Sequence, residues 1–596
     1  MPGDVVAAVK FAKDNGLELS VKNSGHSFLG SSTKKNTLLL NMNQFRRYAS
    51  DDLETFGVQD CSSFDTAEAI VPDLSNQPCV LSAAKGKPGV IRVGGGENWD
   101  KTYRSVKAAN EASPDGYRYH VVGGNSATVS PMGWTWSGGL AATTGGRLFG
   151  FGVDQVVQIE AVLPNGELVR FGPTEWEAAE GYLVPRTTAV SGVCLSNPEA
   201  NEETWVWEEC SQDINFDNLW FAFRGGGGGT WGIVTSVVLQ LHPYLPYELT
   251  TIVSDLTEAL YSAMTPLVAR FVLDFMVDPE SIGVTKDQSA ACGSPSPASG
   301  RAWYCYGEGA AAVFVAAFNE FMSSKTDVLL EAGISPEEIE IAQTSYLSTV
   351  AFVDFAQMGL FGSLGTPYEG KLKDDGNNPY PANMEGELNI LVPKSWILEN
   401  KDRFIEVLVT APMNGVNNLY YAFGGNTGFS HDQTSALSTA HRQAAFMFTF
   451  RDSFQVVQYN EMLQEMYDFT LTDFPAYLGA NHLGPAAYGP LKSDWTTPCS
   501  LSYTRKESEE LCVQGQHAVW GSQNLFRLEE IKKDIDPDGM LNCFRCVDHT
   551  VSFDEINPTP PPSSLPVGSS VGSRKDAVML SLASIVFGMG ASVLFL

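Results

Sequence analysis

A histidine at position 26 stands between a glycine and a serine in the run Lys22-Asn-Ser-Gly-His-Ser-Phe-Leu-Gly30, directly after a β-rich stretch. Near neutral pH an imidazole offers an uncharged, nucleophilic ring nitrogen. A lone histidine is more often a hydrogen-bonded structural residue, so its neighbours must decide. The second signal is five successive glycines at 225–229, in FRGGGGGTWGIVTSVVLQL. Each interior glycine raises the entropic cost of ordering the backbone. Such a run makes sense where the main chain touches a ligand closely and offers its N–H groups as an anion nest. That favours a nucleotide-like ligand over a flexible turn. Neither the strand–GxGxxG–helix dinucleotide pattern nor a GxxxxGK[ST] phosphate loop is present.

Ten cysteines fall as sequence neighbours: Cys61/Cys79, Cys194/Cys210, Cys292/Cys305, Cys499/Cys512 and Cys543/Cys546. Their spacing predicts disulfides and an oxidising compartment. Cys543-x-x-Cys546 precedes His549, but zinc would need a fourth ligand at sensible spacing. A redox pair would open a helix after a strand, whereas this one follows the DPDG turn at 536–539, so a structural disulfide is expected. His120, His242, His441 and His482 form no HExxH or other ligand motif, and no metal site is expected. The chain carries 69 acidic and 38 basic residues, a net charge of −31, which argues against nucleic-acid binding. At 43% hydrophobic and 18% charged it can bury a large core.

The elements that must hold these residues alternate short strands with turns: Glu18–Lys22, Thr37–Asn41, Val90–Val93, Val156–Leu163, Leu168–Phe171 and Gly232–Leu241. Glycine clusters close several of them, at 94–96, 123–124, 138–139 and 145–146. A helical pattern opens the chain, with Val5, Val6, Val9, Phe11 and Ala12 at helix spacing. Longer amphipathic stretches, Ala310–Met322 and Pro336–Thr344, follow a boundary near residue 245. The fold class is α+β rather than a doubly wound parallel sheet.

In combination these segments resemble the vanillyl-alcohol oxidase/PCMH superfamily of FAD enzymes. The histidine run is similar to its SGGHS-type loop, and IRVGGGENWDKTY (Ile91–Tyr103) to its GAG-x-W-Y turn. VGGNSATVSPMGWTWSGG (Val122–Gly139) resembles its glycine-rich flavin loop. FGVDQVVQIEAVLPNGELV (Phe151–Val169) and NLWFAFRGGGGGTWGIVTSVVLQLHP (Asn218–Pro243) follow in the same order. YYAFGGN (Tyr420–Asn426), AHRQAAFMFTF (Ala440–Phe450) and NLFRLEEIKKDIDPDGMLNC (Asn524–Cys543) are similar to the berberine-bridge-enzyme-like branch.

The resemblance, over about residues 2–550, implies a PCMH-type FAD-binding domain at 1–245 and a substrate domain at 246–499, an antiparallel sheet covered by helices. It implies a C-terminal return at 500–550 to the FAD domain. It places FAD against Ser24, Gly25, His26, Ser27, Gly124, Ser126, Thr128, Gly138, Gly139, Gly232, Ile233 and Asn524. His26 would bond to the flavin 8α-methyl. Some relatives add a second link through a cysteine; here Ser126 stands at that place, so attachment is expected through His26 only. The family's base lies on the strand after the His–Arg pair, but Phe446–Phe450 has no titratable group before Arg451. Tyr477, in AYLGAN, is the candidate base. The expected reaction is oxidation of an alcohol carbon of a sugar or secondary metabolite, with dioxygen reoxidising the flavin to give hydrogen peroxide. A dehydrogenase using another acceptor, or a cell-surface flavin-binding protein with reduced catalysis, are the alternatives.

Residues 551–576 read as a Pro/Ser linker, with NPTPPPSSLP at 557–566, and 577–596 as an uncharged apolar tail. Small residues, a polar spacer and such a tail resemble a lipid-anchor signal, with a retained tail anchor as the alternative. Met1–Leu17 is not a signal peptide, because Lys10, Lys13 and Asp14 break its apolar run. The reading therefore expects upstream coding sequence with a cleavable signal, and a secretory, cell-surface or membrane-anchored protein. A phospholipase that cuts lipid anchors should release the protein from membranes, and deleting Ala577–Leu596 should leave it soluble. Retention of an epitope placed after Leu596 would instead identify a spanning tail.

Overall fold

The computed structural model describes residues 2–26, 32, 34, 36–45, 57–65, 67–114, 118–124, 128–141, 145–177, 186–198, 200, 204–252, 258–293, 302–344, 347–352, 388–410, 416–420, 424–428, 434–450, 520, 522–542 and 546–547. Among them, the first layer begins with helix Pro2–Asp14, whose Val5, Val6, Val9 and Ala12 are buried as their spacing predicts. Phe11 points the other way and is 54% exposed. The helix leads into a parallel strand pair, Leu19–Lys22 and Leu38–Asn41, with Leu19 opposite Leu38. Their shared core includes Met42, Val162, Leu168, Ile233, Met540 and Leu541, so it draws on three distant parts of the chain.

The large antiparallel sheet runs Val58–Asp60, Gly89–Gly94, Ile233–Pro243, Val156–Val162, Leu168–Glu177, Arg186–Leu195 and Trp207–Glu208. Tyr119–His120 pairs with the far end of Ile233–Pro243. That strand is nearly all β-branched or apolar and is buried on both faces, as a central strand should be. The reading of Leu168–Phe171 as a short strand is extended: it continues to Glu177 and forms a long hairpin with Arg186–Leu195. The β-branched Thr187, Thr188, Val190 and Val193 carry the signal for that partner.

One face of the sheet is polar yet buried. Glu160 is fully buried, and its carboxylate accepts from Arg92 at 3.0 Å, Arg170 at 2.9 Å and Ser236 at 3.1 Å. Arg92 also donates to Gln158 at 2.9 Å. Burying a carboxylate is tolerable only with this density of donors.

The following region contains two smaller antiparallel sheets. Cys292–Gly293, Ala302–Tyr306, Tyr247–Ile252 and Leu347–Phe352 form one; Leu388–Pro393, Ala444–Phe450 and Val416–Tyr420 form the other. Helices Glu258–Val277, Ala310–Ser323, Lys394–Glu399 and Lys401–Thr410 supply much of a single aromatic core with both sheets, including Phe271, Phe275, Trp303, Phe314, Phe318, Phe404 and Phe446. An antiparallel sheet covered by helices was the expectation for this part. Disulfides Cys61–Cys79, Cys194–Cys210 and Cys292–Cys305 join the predicted neighbours. Cys546 is also disulfide-bonded. Cys499, Cys512 and Cys543 lie outside the described residues.

Buried cations tie later segments to earlier ones. Arg442 grips Asp154, 288 residues away, with two hydrogen bonds of 2.7 Å, and its guanidinium lies over the Phe151 ring. The same carboxylate accepts from the Phe151 N–H at 2.9 Å. On helix Ser522–Ile535, Lys532 is 1% exposed and donates to Thr230 O at 2.9 Å, Asp536 at 2.7 Å and Leu541 O at 2.6 Å. Leu19 N–H donates to Met540 O at 2.8 Å, so the C-terminal return also closes on the first strand.

Removing one partner of such a pair leaves a buried charge short of its counterion. Arg442→Met should therefore lower unfolding free energy by about 3–5 kcal/mol. Arg442→Lys should lose less, since it keeps the charge without the two-pronged fit. Urea unfolding followed by tryptophan fluorescence checks this; an unchanged midpoint in Arg442→Met would show that the pair does not hold the two parts together.

Candidate active site: converging glycine loops and an aromatic floor

Strand Leu19–Lys22 delivers the chain to Asn23, whose side-chain amide donates to Gly95 O. Ser24 Oγ then accepts the Ser130 N–H at 3.0 Å. His26 follows, its Nε2 2.8 Å from Thr128 Oγ1 across 102 residues of sequence. The surrounding loops desolvate the ring enough to push its pKa below the ordinary histidine value, while one side stays open to solvent.

The Gly94–Gly96 turn is held from the sheet side, where Gly95 N–H donates to Thr235 O at 2.8 Å. It leads into helix Trp99–Ala112, capped by Asn98, whose side chain accepts the Lys101 N–H. Trp99 and Tyr103, one turn apart, therefore share a face. They stack with centroids 5.3 Å apart, and Trp134 meets Trp99 edge-on at 5.0 Å. This is the floor on which the next glycine loop lies. Tyr103 OH donates to Gly124 O at 2.6 Å, and Trp99 N–H donates to Val129 O at 3.0 Å. A Cβ on Gly123 would fall 2.4 Å from Trp99 Cζ3 and 2.6 Å from Tyr103 Oη; one on Gly124 would fall 2.9 Å from Trp99 Nε1. Only glycine allows so close an approach. Burial holds the Tyr103 hydroxyl well above its ordinary pKa, so it remains a donor. Trp99 Nε1 itself is buried with no hydrogen-bond partner.

The structure thus gathers Ser24, Gly25, His26, Gly124 and Thr128 into one contiguous arrangement. Gly232 and Ile233 connect to it through the central strand, since Thr235 O holds Gly95. Gly138 and Gly139 are knit to the next turn, accepting from Val153 N–H at 3.2 Å and Gly152 N–H at 2.7 Å. Asn524 donates to Ala436 O at 3.3 Å. Ser27, Ser126 and Tyr477 lie outside the described residues. The sequence reading gave Asn23 and Ser130 no role, and met Trp99, Tyr103 and Gly123 only inside the quoted motifs without assigning them to the site, although the Trp99/Tyr103 spacing on one helix face was a usable signal.

The pentaglycine run does a different job from the anion nest expected of it at its near end. Gly226 N–H donates to Ala222 O at 3.0 Å and Gly227 N–H to Trp136 O at 3.1 Å. Gly225 O accepts from Trp520 Nε1 at 3.0 Å, and a Cβ on Gly225 would press within 2.7 Å of Leu437 N. Gly225, Gly227 and Gly229 take φ of 106°, 94° and 79°, which side chains resist. Among the described residues, no group of three or more His, Cys, Asp or Glu could hold a metal ion. No described helix is long and apolar enough to cross a membrane, and 577–596 lies outside the described residues.

No family model matches the chain. Among curated proteins, FAD-linked oxidoreductase apf9 of Gibberella fujikuroi is 27% identical over 241 residues, 40% of this chain and 29% of its own length. FAD-linked oxidoreductase cheF of Chaetomium globosum is 24% identical over 561 residues, 91% of this chain and 68% of the relative. The chain spans only 29–33% of the first three curated relatives it matches. Among solved structures, the VAO-type flavoprotein MtVAO615 from Myceliophthora thermophila superposes with a TM-score of 0.51 at 18% identity, covering 92% of this chain and 78% of that one. Physcomitrella patens BBE-like 1 gives 0.50 at 15%, covering 93% and 90%. These two likenesses are ones of fold, and the curated relatives add a likeness of sequence across most of the chain. The chain thus shares the fold of VAO-type and BBE-like flavoproteins and is similar in sequence to FAD-linked oxidoreductases.

Proposed function

We propose that this chain binds FAD covalently through His26 and oxidises an alcohol carbon of a sugar or secondary metabolite, with dioxygen as the final acceptor. The observation that carries the reading is the convergence of the His26, Gly95 and Gly124 loops, the last of them lying on Trp99 and Tyr103. The residues present fit the cofactor. The glycine loops pack too closely on their supports for any side chain to stand there, and Trp99 Nε1 is an unspent buried donor beneath one of them. The names of the curated relatives, FAD-linked oxidoreductases, support the same reading.

When bound, FAD supplies the two-electron acceptor that no side chain can provide. The chain's own residues bind and orient. Ser24, Gly25 and Ser27, with Gly124 and Ser126, would hold the pyrophosphate and ring edge through main-chain N–H groups and serine hydroxyls, and Thr128 would contribute its main chain alone, its hydroxyl being engaged by His26. His26 supplies the attaching nitrogen, and its lowered pKa keeps it neutral near pH 7. Tyr477 is the proposed group that takes the substrate's hydroxyl proton. We also place the protein in the secretory pathway or at the cell surface; the three disulfides Cys61–Cys79, Cys194–Cys210 and Cys292–Cys305 support that compartment. Membrane attachment through the tail belongs to the same proposal.

Three measurements test this. Purified protein should be yellow, keep its flavin through acid precipitation, and release peroxide with at least one member of a panel of sugars, alcohols and amines. Dye reduction without peroxide would make it a dehydrogenase; flavin with no turnover would make it a binding protein. His26→Ala should still bind FAD but lose it on denaturation, with activity reduced rather than abolished. Gly123→Ala should do the reverse of a local change: its methyl displaces the loop from Trp99, so the flavin-to-protein absorbance ratio should fall several-fold while circular dichroism stays close to wild type. Full flavin occupancy in Gly123→Ala would remove the aromatic floor from the site.

A further inference from the structure

Resting on the FAD reading, we infer that Thr128 is a positioning residue for attachment: its hydroxyl accepts the Nε2–H of His26 and so leaves the lone pair on Nδ1. Thr128 Oγ1 and His26 Nε2 are 2.8 Å apart. Both residues are fixed by their neighbours. Val129 O is held by Trp99 N–H at 3.0 Å, and Ser130 N–H is held by Ser24 Oγ at 3.0 Å. The Ser24–Ser130 bond joins the same two loops two residues from the His26–Thr128 contact, so the hydroxyl cannot drift from the ring without breaking a second link.

A neutral imidazole carries one N–H, and which nitrogen bears it is set by what the other ring atom meets. With Nε2 capped by Thr128, only Nδ1 is placed to form a new bond. Were the threonine the donor instead, the proton would sit on Nδ1 and neither nitrogen would present a lone pair to the flavin. The productive arrangement is therefore Nε2–H donating to Oγ1. This is the same logic by which a partner at one imidazole nitrogen fixes the tautomer of a metal-ligating histidine.

The attachment balances as follows. One carbon–nitrogen bond forms between Nδ1 and the 8α carbon. The 8α carbon gives up one hydrogen and the imidazole the other, the Nε2 proton leaving past the Thr128 hydroxyl. The electron pair and two protons pass to dioxygen, which becomes hydrogen peroxide.

The experiment compares the full-length wild type with Thr128→Val, which keeps the shape without the hydroxyl, and Thr128→Ser, which restores the hydroxyl. Total FAD is read from native absorbance, and the covalent fraction from in-gel fluorescence after acid precipitation, sampled over time. Thr128→Val should bind FAD at wild-type occupancy yet attach it at least five-fold more slowly, and Thr128→Ser should recover most of the rate. Independently of any variant, histidyl-flavin released from wild type by proteolysis and acid hydrolysis should be the Nδ1 isomer. Wild-type attachment in Thr128→Val, or an Nε2 isomer from wild type, overturns the inference while leaving FAD binding intact. Loss of total FAD in Thr128→Val would also overturn it, making the residue a binding group. Wild type with FAD that is wholly released by acid would overturn both this inference and covalent attachment, and wild type without FAD the cofactor reading itself.

Discussion

Strand Ile233–Pro243 hydrogen-bonds to Gly89–Gly94 on one side and Val156–Val162 on the other, and the middle of the large sheet is placed by that double pairing. Its Thr235 carbonyl holds Gly95, which sets where the Asn23 amide lands and so where His26 begins. At its start, the Thr230 carbonyl receives Lys532, fastening the returning helix. At its end, His242 pairs with His120 and its Nε2 meets Gln155 Oε1 at 2.6 Å. A one-residue slip would turn each of these side chains to the opposite face. The bulges near Val234–Ser236 and Val238–Leu239 adjust the register against Val156–Val162 while that against Gly89–Gly94 stays regular.

The second principle of construction is that buried charge marks the seams. Glu160 binds the strands of the large sheet, Asp154 receives Arg442 from the short helix Thr439–Gln443, and Asp536 receives Lys532 beside the glycine turn. Arg147 completes the set, wholly desolvated, with its pKa lowered to about 9 and its guanidinium donating to Ser289 O at 2.8 Å. Hydrophobic contacts alone would hold these segments together in several relative settings, whereas a multiply hydrogen-bonded ion accepts one. Near a site whose loops come from residues 23–26, 94–96, 123–124 and 128–130, such single-valued seams matter more than added stability.

How much of this was legible from the amino acids depends on what constrained each residue. The glycines at 94–96 and 123–124 could be found because close main-chain approach admits few residue types, whereas His26 and Thr128 were named as site residues only through the family resemblance of their segments. The strands could be found because β-branched runs bounded by glycine have few other fates. Trp99 and Tyr103 were harder, since a buried aromatic pair looks the same beneath a ligand loop as in any core. Gly138, Gly139 and the pentaglycine show the converse difficulty. A positive φ demands glycine whether the turn faces a ligand or, as for Gly139 and Gly227, engages another stretch of protein. The Asp154–Arg442 grip could not be read at all, because nothing local to either residue names a partner 288 positions away.

The late arrival of the central strand has a consequence for biosynthesis. Val156–Val162 is complete roughly 80 residues before Pro243, so at about 5–20 residues per second a ribosome leaves the sheet without its middle for about 4–16 s. During that interval Gly89–Gly94 and Val156–Val162 each present an unpaired inner edge rich in valine and isoleucine, the kind of surface on which nascent chains cross-pair. The nascent protein therefore depends on something that shields strand edges while translation proceeds. Yield from a host should be governed by that protection and by translation speed between codons 162 and 243 at least as much as by the stability of the finished fold.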